Sequence, residues 1–409
     1  MVRKAAAIAV VLFAACRAPA APPEGGTVLT DMDTLRHKPT EVKAKDGTSA
    51  PVGTAELVEG RFGKACRFAF DASKGPAFMT GWVVFPPEAD AAAGISFHVK
   101  GDGSRSWGGL ELIDGNDYKL RYGVCFPVDS TEWRKVVVPW RDVIPELAGP
   151  RVDPNGGYRP SRFRNLWFGK WFYWREQPGY TVTVDRVALE PTIDLDRADY
   201  TPKAPGLPRT LAKLKARQAV TIVTMGDSLS DKRHWANKQQ LWSERLVEKL
   251  RGRFGGPVRL VNPALGGTTL SQNLILMPRW LKDTPRPDLV TVCFGYNDYS
   301  SGVRGERFAE YLRLAVDRIR RETHGAAEVL LMTTCPAHNR WQTMDEMAQA
   351  VRTVAGRKNT GLADLAAAFH QAGSADEALK RNYWAWDKTH LGAKGHELVA
   401  DTVLDAIAK

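Results

Sequence analysis

A serine at the end of an apolar strand is the first feature that could do chemistry. Residues 220–230 read VTIVTMGDSLS, a β-branched and apolar run that breaks at Gly226 and carries Ser228 just past its end. Glycine ends such runs where the chain turns sharply. A serine hydroxyl is a weak nucleophile and needs a base to take its proton. Histidine does this near neutral pH, and a carboxylate holds the imidazole in the right tautomer. The stretch WDKTH, residues 386–390, supplies both groups as Asp387 and His390. A carbonyl under attack also needs N–H donors aimed at its developing charge. Two further stretches offer them: NPALGGTT, residues 262–269, and GYND, residues 295–298. Gly267 or Gly266 can bring a backbone N–H close, and counting from Asn262 favours Gly267. Asn297 offers a side-chain amide, and the backbone N–H of Ser228 is a third donor.

These residues must be carried by a sheet. From Ala219 onward, apolar strands at 220–225, 258–261, 289–294 and 329–333 alternate with helical stretches near 240–251, 307–321, 344–355 and 395–408. Such alternation predicts an α/β domain with a parallel sheet covered on both faces. Ligands of such sheets gather at the carboxyl ends of the strands, where all four polar or glycine-rich stretches fall.

GDSLSD, the GG after NPAL, GYND and DKTH, in this order, resemble the four blocks of the SGNH (GDSL) hydrolase superfamily. The resemblance covers residues 219–409 and implies a flavodoxin-like three-layer α/β/α domain. It implies Ser228 as nucleophile, His390 as base and Asp387 as its orienter. Ser228, Gly267 and Asn297 become the oxyanion donors, and neither metal nor organic cofactor is expected. Neighbouring polar and aromatic residues have plainer readings. Asp298 reads as a turn or helix cap, His396 as structural and Asp364 as a strand-end carboxylate. His234, His338, Trp384 and Trp386 flank the blocks and either line the substrate pocket or, as each reads taken one at a time, serve as packing or surface; Tyr296 faces either the site or the core.

Residues 27–191 change to period two. GISFHVKG alternates Ile95, Phe97 and Val99 with Ser96, His98 and Lys100, and WRKVVVPW and YTVTVDRVAL are further strands. The pattern predicts an all-β sandwich. Its layout, with KGDG and EWRKV, resembles galactose-binding-like jelly rolls that serve as carbohydrate-binding modules. LWFGKWFYW, residues 166–174, is rich in rings that either stack on sugars or fill the core. Residues 192–218, rich in proline and charge, read as a linker. Provided the sandwich binds sugar and is not a wall of the pocket, deleting residues 27–191 is expected to leave small-ester rates largely intact and to reduce acetate release from insoluble polymer.

At the N-terminus, Arg3 and Lys4 precede AAAIAVVLFAAC. A basic start and an apolar stretch about a dozen residues long read as an export signal over residues 1–15. LFAAC resembles a bacterial lipobox, which implies lipidation at Cys16, a tether over 16–26 and anchoring at the cell envelope; ordinary cleavage near APA leaves the protein periplasmic or secreted. Export permits disulfides. Cys293 and Cys335 end strands and read as buried thiols, whereas a Cys66–Cys125 bridge stays open. The formal charge of +11 is spread along the chain and matches no zinc-finger, RNP or basic-zipper pattern, which argues against nucleic acid. It leaves a diffuse affinity for acidic surfaces or polymers. The expected function is an exported serine esterase removing short acyl groups, chiefly O-acetyl, from a carbohydrate or polysaccharide. The rivals are a lipid-directed esterase or thioesterase and a non-catalytic sugar-binding surface protein.

Overall fold

Alternation along the N-terminal strands builds two antiparallel sheets face to face. The computed structural model describes residues 26–43, 47–71, 77–147, 149–152, 157–170, 178–238 and 240–409. In one sheet the strand Gly94–Gly101 lies between Arg134–Pro139 and Tyr180–Glu190; in the other, Trp107–Asp114 lies between Arg121–Pro127 and Phe163–Lys170. Phe97 meets Phe126 and Phe168 across the sandwich, with ring centroids 5.1 and 5.7 Å apart. Of the ring-rich stretch, Phe168 is core, while Trp167 leaves the opposite face of its sheet, half-buried against the cluster of Phe78 and the helix Leu270–Asp283, and stacks on Tyr118. Trp171, Phe172, Tyr173 and Trp174 lie outside the described residues, as do the export signal, Cys16 and the tether up to residue 25.

The bridge left open between Cys66 and Cys125 is not formed. Cys66 sits in the sandwich core, its thiol on the Met32 carbonyl at 3.4 Å. Cys125 is on the opposite face of its sheet from Tyr122, Val124 and Phe126, and its thiol donates to the Ile275 carbonyl at 2.9 Å.

The C-terminal half is a three-layer α/β/α domain. Its five parallel strands are β1 (Val220–Gly226), β2 (Val258–Val261), β3 (Leu289–Cys293), β4 (Glu328–Met332) and β5 (Gly361–Ala363), in spatial order β2-β1-β3-β4-β5. Alternate residues leave opposite faces. Ile222 and Leu289 join α1 (Pro208–Lys215), α2 (Trp242–Phe254) and α6 (Ala393–Ala408). Val223 and Val290 join α3 (Leu270–Asp283), α4 (Gly305–Glu322) and α5 (Asp345–Lys358). The stretch expected as a linker thus contains α1. Leu214 of that helix is buried, and the Thr210 N–H donates to Glu328 at the start of β4 at 2.7 Å.

Helix α3 was not expected from sequence, and strand β5 was expected only through Asp364, read as a strand-end carboxylate, which directly follows it. Thr269 caps α3, its side chain accepting from the Gln272 N–H while Gln272 reaches back to the Thr269 N–H. Pro278 lies inside the helix and cannot donate to Leu274. The Arg318 guanidinium fills that gap, donating to the Leu274 carbonyl at 2.7 Å. One side of α3 packs on the parallel sheet. The other meets the sandwich: Ser271 donates to the Glu146 carbonyl at 2.9 Å, and Phe78, Trp107, Cys125 and Ile144 join the same apolar cluster as Leu274 and Ile275. The two domains share a core.

Candidate active site

In this strand order the chain leaves β1 toward one edge and β3 toward the other, so a crevice opens where the connections diverge. Gly226 at the end of β1 pairs in register with Cys293 at the end of β3. Gly226 is required by close approach, because a Cβ there would lie 2.6 Å from Ser230 Oγ. The chain then makes one helical turn, the Ser230 and Asp231 N–H groups both donating to the Asp227 carbonyl, and Ser228 emerges at the rim.

Ser228 Oγ is 2.9 Å from His390 Nε2, and His390 Nδ1 is 2.5 Å from Asp387 Oδ2. The other oxygen of Asp387 accepts the His390 and Thr389 N–H groups at 3.0 and 3.2 Å. Burial works to raise the Asp387 carboxyl, but the imidazole and these two N–H groups outweigh it and hold it below its ordinary range. The carboxylate is therefore charged at neutral pH and keeps Nδ1 protonated, leaving the lone pair of Nε2 toward the serine.

The donor side is built by two loops. Gly266 donates its N–H to Asp231 Oδ2 at 2.8 Å. Gly267 takes the left-handed backbone, at φ +79°, and among the described residues its N–H meets no acceptor. Asn297 Nδ2 donates to the Thr268 carbonyl at 3.1 Å and to Asp227 Oδ2 at 3.3 Å. The second is long and weak, so the amide can be turned to an oxyanion at little cost. Asp231 was not singled out from sequence. Its carboxylate is gripped by Arg233 at 2.8 and 3.1 Å, and Arg233 also donates to the Ala264 carbonyl at 3.0 Å. This ion pair fixes the Gly266–Gly267 loop against the serine loop.

Residues 224–398 match the model of the GDSL-like Lipase/Acylhydrolase family. They form a GDSL-like acylhydrolase domain. Solved structures similar to parts of the chain include a variant of an acetyl xylan esterase from Geobacillus stearothermophilus, at 23% identity over 46% of this chain and 94% of the other, with a TM-score of 0.36. A family 11 carbohydrate-binding module from Clostridium thermocellum is 15% identical over 41% of this chain and 96% of its own, with a TM-score of 0.32. A Bacillus subtilis protein is 14% identical over 87% of both chains, with a TM-score of 0.39. No curated protein sequence matches the chain.

Around Ser228, His390 and Asp387 stand His234 and Trp386, which the sequence read one at a time as packing or surface, and Trp235, which it did not single out. The His234 ring stacks on His390 with centroids 4.0 Å apart. Trp235 meets His390 edge-on at 5.9 Å and stacks on Trp386 at 5.1 Å. Trp386 is 81% exposed, so one face of this stack is open to solvent beside His390. Burial, with His390 adding, lowers the His234 imidazole below its ordinary value. Trp384 is core instead, its Nε1 on the Pro336 carbonyl, with His338 against its ring and on Asp376 at 2.8 Å. Tyr296 packs at the edge of the core under Arg340. Asp364 caps the short helix Leu365–His370 and pairs with Arg352. His396 is buried, and its Nδ1 accepts the Trp242 N–H at 3.2 Å.

Asp298 is a cap with a titration attached. Its Oδ1 accepts the Leu270 N–H at the start of α3, and its Oδ2 has no hydrogen-bond partner among the described residues. Burial pushes its carboxyl up to about 7; the Leu270 N–H offsets part of this, and Asp227, itself raised by burial to about 6, adds to it. The folded value lies above the unfolded 3.8, so the unfolded chain releases this proton first as pH rises. Stability from Asp298 is present at low pH and falls between about pH 4 and 7, by at most about 1.4 kcal/mol per pH unit. His37 and His396, lowered by burial to about 4, slope the opposite way across the same window. The comparison that isolates Asp298 is with Asp298→Asn, which keeps the acceptor and loses the proton. Its Tm advantage over the wild type is expected to widen from about pH 4 to 7 and stay flat above. A Tm difference independent of pH in scanning fluorimetry contradicts this.

Proposed function

We propose that this protein is an esterase that removes short acyl groups, chiefly acetyl, from a carbohydrate through Ser228, His390 and Asp387. The observation that carries this reading is the unbroken chain of contacts from Ser228 Oγ through the His390 ring to Asp387, at the switch point of the sheet. His390 Nε2 takes the hydroxyl proton as Ser228 Oγ bonds to the ester carbon. The oxyanion is met by the N–H groups of Ser228 and Gly267 and by the Asn297 amide. Collapse expels the alcohol, to which His390 returns the proton, and leaves an acyl-serine. Water, deprotonated by the same imidazole, then releases the acid and restores the serine.

The carbohydrate side is supported by the exposed face of Trp386, on a stack that touches the base and suits a sugar ring. The N-terminal residues support export, with Cys16 as the anchor that would hold the enzyme at the cell envelope. The acyl side is supported by Trp235 and His234, which crowd His390. Each methylene that fits a site adds up to about 0.8 kcal/mol of burial, so a lipid-directed site gains steeply with chain length. A crowded site loses, at about 1–3 kcal/mol for overpacking. The kcat/KM on 4-nitrophenyl acetate is therefore expected to exceed that on the butyrate and greatly exceed that on the octanoate. A profile rising toward octanoate overturns the acetyl assignment in favour of a lipid-directed esterase.

A further inference from the structure

We propose that the cleft between the two domains binds an acidic polysaccharide through its carboxylates and so selects a uronate-bearing, O-acylated strand as substrate; this rests on the esterase reading above. The cleft holds about 540 Å³, within the range of a built ligand site of about 300–1,000 Å³. Three elements line it with cations and rings. The sandwich gives Arg105 and Trp107, the serine loop Lys232 and Arg233, and helix α3 Arg279 and Trp280. Against these four cations stand two carboxylates, Asp231 and Asp283, and Asp231 is already held by Arg233. Arg105 is exposed and makes no ion pair among the described residues. Lys232 pairs with Glu244, but both ends of that pair are solvated, and such pairs contribute little.

The cleft adjoins the serine loop and the Gly266–Gly267 loop through Asp231 and Leu265 on its wall. Asp231 lines it and accepts the Gly266 N–H, and a Cβ on Gly266 would lie 3.5 Å from Ser228 Cβ. A strand lying in the cleft therefore passes beside the acyl site. Guanidinium groups recognise carboxylates by paired N–H donors, and converging cations retain a charged polymer in a salt-dependent way. A polynucleotide would meet the same charges but carries no acyl ester to present to Ser228.

Acetate release from O-acetylated polygalacturonate and from O-acetylated xylan lacking uronate separates the possibilities, read at about 20 mM and about 500 mM salt. The wild type is expected to favour the acidic polymer by about tenfold in kcat/KM at low salt and to lose that preference at high salt. Arg105→Ala/Arg279→Ala is expected to lose the preference at low salt when its polymer rates are divided by its own rate on 4-nitrophenyl acetate. Arg105→Lys/Arg279→Lys, which keeps both charges, should keep the preference and its salt response in part. Equal use of both polymers at low salt, or a preference that survives the double Ala variant, overturns the proposal. So does inhibition by single-stranded DNA as strong as that by unacetylated polygalacturonate. Absence of 4-nitrophenyl acetate hydrolysis in the wild type is a different failure, that of the esterase reading.

Discussion

Ser228→Ala is expected to fold as the wild type does and to lose ester hydrolysis by about 10³-fold or more in kcat/KM. The side chain is small, and its hydroxyl meets His390 Nε2 at 2.9 Å, so its removal takes away the nucleophile and leaves the packing unchanged. His390→Ala is expected to lose activity comparably. The double variant should be little worse than either single one, because residues that act as one unit do not contribute additively. His396→Ala should behave differently: it opens a buried site under the Trp242 N–H and should lower Tm, with activity falling only as folded protein is lost. The measurement is kcat/KM on 4-nitrophenyl acetate, with Tm recorded for each variant. Retention of more than about a tenth of wild-type activity by Ser228→Ala, or a phosphonate adduct on another serine, would falsify the nucleophile assignment.

The residues brought together at the candidate site were legible because each sits in a short block whose chemistry depends on residue type and order. The strand before Ser228 is nearly all apolar or β-branched, since it is central and buried on both faces, and such strands announce themselves. Helix α3 did not. A helix covered on one side shows a polar face outward, but α3 lies between the parallel sheet and the sandwich, and its polar Ser271, Gln272 and Asn273 are buried with its apolar residues. Pro278 in its interior removed the remaining signal, because the Arg318 group that compensates lies 40 residues downstream. β5 is a three-residue edge strand, too short to show a period. At the site, Asp231 and Trp235 were not read from the sequence, and His234 and Trp386 were read as flanking residues with no stack between them. Their contacts depend on how two loops meet, and no spacing within either loop encodes that. The D of GDSLSD, followed two residues later by arginine, was the one local clue to the ion pair behind the oxyanion loop.

The shared core changes what removing the sandwich should do. A tethered accessory module would leave small-ester rates intact when deleted. Here Phe78, Trp107, Cys125 and Ile144 of the sandwich pack with the α3 side chains inside the same cluster as the catalytic sheet. Polar groups are matched across the same boundary. Gln272 donates to Glu146, which is buried and paired with Arg121, and Arg321 donates to Asp142. Deletion of residues 27–191 would expose the outer face of α3 and leave these donors without partners. Each large apolar side chain so uncovered contributes about 1.5–3 kcal/mol when buried. Several together exceed a good share of the roughly 5–15 kcal/mol that holds an ordinary domain folded. The 192–409 fragment is therefore expected to aggregate, or to melt more than about 10 °C below the full chain. Its rate on 4-nitrophenyl acetate should collapse with it, because α3 begins three residues after Gly267 and carries the loop that holds that donor in place. The measurement is Tm and kcat/KM on purified monomer, the full chain serving as control. A soluble monomeric fragment with unchanged Tm and rate would show that the sandwich is separable after all.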